Sequence, residues 1–147
     1  MPTMSETVRD AMVPEPTTLA AEASAQELGR CFADNDDVRA IFVTEDDGRL
    51  LGVVTRKTLV REVVAAGLDP GTVTLRTIAE PPNFTLDAGL ELDGAFRFLE
   101  DQDLERVPVV EEDGRLVGVL SRAVVQRRLA EDEPPQEEER DAGSRVL

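Results

Sequence analysis

Val43-Thr44-Glu45-Asp46-Asp47-Gly48-Arg49-Leu50-Leu51-Gly52-Val53-Val54-Thr55-Arg56 recurs as Val109-Val110-Glu111-Glu112-Asp113-Gly114-Arg115-Leu116-Val117-Gly118-Val119-Leu120-Ser121-Arg122, at a constant offset of 66 (48 to 114, 52 to 118). Each copy opens on a short apolar run of strand type, Ile41-Phe42-Val43 or Val107-Pro108-Val109-Val110. An acidic turn follows and ends in Asp-Gly, a hairpin signal because glycine accepts positive φ. A second strand runs from Leu50 to Val54 or from Leu116 to Leu120. Thr55 or Ser121 then stands where a helix N-cap belongs, ahead of Lys57 to Ala66 or Ala123 to Ala130.

The likeness extends upstream. Thr18-Leu19 matches Thr85-Leu86 at an offset of 67, so one residue slips between the two matched stretches. Ala21, Ala25, Leu28 and Phe32 share one face of a predicted helix; Ala88, Leu92, Ala95, Phe96 and Leu99 share a face of its counterpart. Short extended pieces precede them, Pro16-Thr17-Thr18 and Pro82-Asn83-Phe84-Thr85, and short helical leads precede those, Val8 to Met12 and Leu75 to Ala79. Each copy therefore reads short helix, strand, helix, strand, strand, helix, an α/β (α+β) pattern. Self-similarity at a fixed spacing marks duplicated units, and two copies suggest a pseudo-two-fold pair burying one face against the other. The boundaries fall at 7–66 and 73–130, leaving an acidic tail, 131–147, with seven acids and two arginines; this composition predicts disorder.

Over 147 residues, 16 Lys+Arg face 31 Asp+Glu, a formal charge of −15 that opposes nucleic acids and anionic membranes. The chain has no histidine, which removes the usual general base near neutral pH and the commonest zinc ligand. Its single cysteine, Cys31, cannot form an intrachain disulfide. With no leader pattern and no apolar run near the roughly 20 residues of a membrane span, a cytoplasmic protein is expected. Asp34-Asn35-Asp36-Asp37 lacks the glycine and distal glutamate of a calcium loop and reads as a solvated helix end. No metal is called for.

The ordered set formed by Val8-Arg9-Asp10-Ala11-Met12, Arg106-Val107-Pro108-Val109-Val110 and the two Asp-Gly-Arg-Leu-x-Gly-Val-x-[Thr/Ser]-Arg hairpins resembles a tandem pair of cystathionine-β-synthase-type (CBS) domains, a Bateman module. The resemblance implies a non-catalytic sensor whose clefts take AMP, ADP, ATP or S-adenosylmethionine as a regulatory ligand, and a homodimer, with a protein partner as a further expectation. The family's ligand motif is Gly-h-h-[Ser/Thr]-x-x-Asp, where h is apolar. Here it reads Gly52-Val53-Val54-Thr55-Arg56-Lys57-Thr58 and Gly118-Val119-Leu120-Ser121-Arg122-Ala123-Val124, so the aspartate is replaced in both copies. Thr58 can accept a hydrogen bond and Val124 cannot. Burying a ribose hydroxyl without a partner costs about 1–3 kcal/mol, which ranks the first cleft above the second.

By the same resemblance Thr17, Thr18 and Thr85 lie on strands that face the clefts, against a reading as polar strand-edge residues. Phe84 and Val54 suit either an adenine ring or the core. Arg106 is a phosphate candidate. Arg56 and Arg122 open helices, where a cation is poorly placed, and so answer a bound anion or an acidic neighbour, against a reading as solvated or ion-paired residues. The acidic hairpin turns read as turns alone. The alternative to sensing is a structural, dimerisation or protein-interaction module whose nucleotide sites have degenerated.

Overall fold

The structure is a computed structural model and describes residues 6–131. In chain order the elements are α1 (Val8–Ala11), β1 (Val13–Pro14), β2 (Thr18–Ala20), α2 (Ala25–Asp34), β3 (Ala40–Thr44), β4 (Leu50–Thr55), α3 (Arg56–Leu59), α4 (Leu75–Ile78), β5 (Leu86–Asp87), α5 (Leu92–Asp101), β6 (Arg106–Val110), β7 (Leu116–Ser121) and α6 (Arg122–Glu131). The helix opened by α3 widens into a π-helical turn over Val60–Val64, with Ala65 N–H donating to the Val60 carbonyl at 2.7 Å, and Gly67 closes it at φ +73°. The predicted tail lies, beyond Glu131, outside the described residues.

Both hairpins form as read. Their turns are three-residue loops: Gly48 N–H donates to the Glu45 carbonyl and Gly114 N–H to that of Glu111, each at 2.9 Å, with both glycines at φ +89°. That is a type I turn completed by a left-handed residue, which glycine adopts without strain. Asp47 and Asp113 pre-shape the turns by accepting from Arg49 and Arg115 N–H, each at 3.1 Å. The extended piece expected from Pro82 starts later, at β5, because Pro82 offers no N–H to a ladder.

The two sheets are built alike. In one, β2 pairs parallel to β3, and β3 antiparallel to β4; in the other, β5 pairs parallel to β6, and β6 antiparallel to β7. What completes each sheet comes from elsewhere in sequence. β1 pairs with β7, placing Val13 opposite Val119, and the chain after α4 pairs with β4, placing Glu80 opposite Val53.

The leading helices follow the same exchange. Val8 and Ala11 of α1 pack in a core with Leu92, Leu99, Val109, Leu120 and Val125. Leu75 and Ile78 of α4 pack in the other core with Leu28, Phe32, Ile41, Val43 and Val54. Each half thus lends its first helix to the other. At the hairpin tips the sheets join across a pseudo-two-fold axis: Leu50 N–H donates to the Gly114 carbonyl and Leu116 N–H to that of Gly48, both at 3.0 Å. Among the described residues no helix is long and apolar enough to cross a membrane.

Candidate ligand clefts

β4 turns into α3 at Thr55, and the turn is closed by a reciprocal pair. Thr55 Oγ1 accepts from Thr58 N–H at 3.2 Å, and Thr58 Oγ1 accepts from Thr55 N–H at 3.1 Å. Thr58 is fully buried, the only buried polar residue among those described. Its hydroxyl donates to Glu80 Oε2 at 2.7 Å, and Arg61 reaches the same oxygen at 3.2 Å. Glu80 comes from the crossing chain after α4, so this polar pair is built from both halves. Reading the copy in isolation gives no signal for Glu80; only its pairing with Val53 brings it to Thr58.

The remaining first-cleft candidates are less close. Val54 is fully buried in the core containing α2 and α4, where its side chain packs against protein. Thr17 and Thr18 are exposed, and Thr18 stands opposite Phe42 on β3, in line with Val53 two strands away, about 10 Å.

At the matching place in the second half, Ser121 Oγ accepts from Val124 N–H at 3.4 Å, a longer cap. Val124 is half-buried, and Val13, 55% exposed, takes on β7 the place that Glu80 takes on β4. Arg106 stands opposite Ser121 in the β6–β7 register, exposed. Phe84 is half-buried and meets Phe98 edge-on, ring centroids 5.3 Å apart, at the border of the second core; Thr85 is exposed.

Arg56, which is exposed, pairs with main-chain oxygens rather than with an acid. Its guanidinium donates to the carbonyls of Phe32 (2.8 Å), Val38 (3.1 Å) and Asn35 (3.3 Å) and lies 4.8 Å from the Phe32 ring centroid. It thereby neutralises the negative end of α2. Arg122 takes the ion-pair option, with Asp103 (3.3 Å) and Glu105.

The acidic turns do more than turn. Arg76 of α4 binds both oxygens of Glu45 (2.7 and 3.0 Å) and Glu22 (2.7 Å); Arg9 of α1 binds Glu111 at 2.7 Å. These bonds raise the Arg76 and Arg9 guanidinium pKa and lower that of the Glu45 carboxyl. Asp47 and Asp113 are held low first by the Arg49 and Arg115 backbone N–H groups. Each exchanged helix is thereby tied to the hairpin of the half that receives it. Beside Arg9 an open depression of about 410 Å³ is walled by Glu111, Asp113 and Arg115; Gly89 leaves it open where Glu22 closes on Arg76 in the other half.

Duplicated hairpins, exchanged leads and paired clefts match one family model, the CBS domain, over residues 8–65 and again over 71–131. The chain belongs to the CBS-domain family. Hypoxic response protein 1 of Mycobacterium tuberculosis is 34% identical over 131 residues, 85% of this chain and 86% of that protein. A crystal structure of Hypoxic Response Protein I with two coordinated zinc ions superposes at a TM-score of 0.70, with 30% identity over 84% of this chain and 98% of that one. The magnesium transporter MgtE of Thermus thermophilus is 29% identical over 118 residues, 75% of this chain and 24% of the transporter. The cytosolic domain of MgtE in complex with ATP superposes at 0.63, with 25% identity over 80% of this chain and 46% of that one.

This CBS pair has no histidine and one cysteine, and among the described residues no group of three or more His, Cys, Asp or Glu side chains is placed to hold a metal.

Proposed function

We propose that this CBS pair is a non-catalytic regulatory module that takes an adenine nucleotide in its first cleft. The observation that carries the reading is the intact turn from Gly52 through Thr55 into α3, with a polar floor of Thr58 and Glu80 beneath it. Lys57, exposed at the start of the same helix, favours a phosphate. The ATP complex of the MgtE cytosolic domain supports the ligand class. The chain acts as a homodimer through the helical turn after α3 and the residue that follows its closing Gly67, where Val60, Val64 and Leu68 are 55%, 67% and 49% exposed. Ligand then acts by favouring one arrangement of the pair.

A second reading, a structural or interaction module without ligand, draws on the second cleft, where Val13 and Val124 replace polar groups. A thermal-shift series separates the two. At a hundredfold excess over Kd a ligand adds about 2.7 kcal/mol. At least one of AMP, ADP, ATP and S-adenosylmethionine is expected to raise the melting temperature by several degrees. A flat response to all four with dimeric mass retained selects the second reading.

A further inference from the structure

We infer that Glu80 is the hydroxyl acceptor of the first cleft, and that the two clefts have diverged so that only the first takes a ligand bearing a vicinal diol. The inference rests on the nucleotide reading above and names the residue that selects within it.

Glu80 opposite Val53 and Val13 opposite Val119 occupy equivalent places on their sheets, and Thr58 and Val124 occupy equivalent places on their helices. In the first half the pair is polar on polar, with Thr58 Oγ1 donating to Glu80 Oε2 at 2.7 Å. In the second the equivalent residues, Val13 and Val124, are both apolar. A change at one position alone would set a carboxylate over methyl groups or remove the acceptor of a buried hydroxyl, which is costly. The paired change keeps each half consistent. Glu80 is half-exposed, its Oε2 is fixed from two sides by Thr58 and Arg61, and its Oε1 makes no bond among the described residues. An anchored carboxylate with a free oxygen is prepared to accept from a sugar hydroxyl, and a charged acceptor makes the stronger class of such bonds. Val13 offers only methyl groups.

Calorimetric titration of the whole chain with AMP and with 2′,3′-dideoxy-AMP tests this. The unaltered protein is expected to prefer AMP by roughly tenfold to a hundredfold. Glu80→Ala should bring that ratio close to one while leaving the dideoxy affinity in place. Glu80→Gln, which keeps an oxygen for Thr58 and so guards against a folding artefact, should give an intermediate ratio. A preference for AMP that survives both substitutions overturns the role of Glu80 and leaves the nucleotide reading standing. Binding of neither compound by the unaltered protein overturns both.

Discussion

A β-carbon at Gly52 would stand 2.6 Å from the Glu80 carbonyl oxygen, and one at Gly118 would stand 2.5 Å from the Met12 sulfur and 2.8 Å from the Val13 carbonyl oxygen. Both glycines sit where the crossing chain lies flat on the sheet, so the absent side chain is a condition for the exchange. Gly52→Ala and Gly118→Ala should each destabilise by about 1–3 kcal/mol in urea unfolding, because main chain cannot step aside as a flexible side-chain tip does. A loss below about 0.5 kcal/mol in both would show that the crossing chain has slack. Arg56 teaches a different lesson at this scale. A cation opening a helix invites an anion by dipole reasoning, and that is how the sequence reads. The reading misses that the end of α2, with its carbonyls at Phe32 and Asn35, arrives beside it and supplies the negative charge.

The hairpins, α2 and α5 are legible because their information is local: Asp-Gly turns, alternating apolar strands and a single apolar helix face. The destination of α1 and α4 is not. Val8 with Ala11 and Leu75 with Ile78 carry the same short apolar pattern, and nothing in that pattern says which core receives them. Thr58 was legible as a candidate, Glu80 was not, since its partner is fixed by a bridge between halves. The exchange predicts fragment behaviour. A piece spanning 15–81 carries the first half's sheet and helices together with α4 and is expected to melt cooperatively. A piece spanning 7–66 holds the helix its core does not use and lacks the one it does, so it should show no cooperative transition by circular dichroism. Equal cooperativity in both pieces would show that α4 contributes little to that core.

Across the whole molecule the two halves are alike in backbone and unlike in surface. Val60 and Val64 have Gln126 and Ala130 at their matching positions, so the exposed apolar stripe belongs to the first half alone. A two-fold partner covering it sets first half against first half. With the homodimer proposed above, Val64→Asp should halve the sedimentation mass with little change in the monomer's fold, since the side chain is 67% exposed, while Ala130→Asp should leave that mass unchanged. An unchanged mass for Val64→Asp would place the contact elsewhere.

The lending of α1 and α4 between halves also speaks to assembly. A single half with this architecture would have no second half to borrow from, and would close its interior only if two chains traded helices. Joining both halves in one polypeptide turns that trade between molecules into one within a single chain, and lets the two halves carry different side chains, as Glu80 and Val13 do.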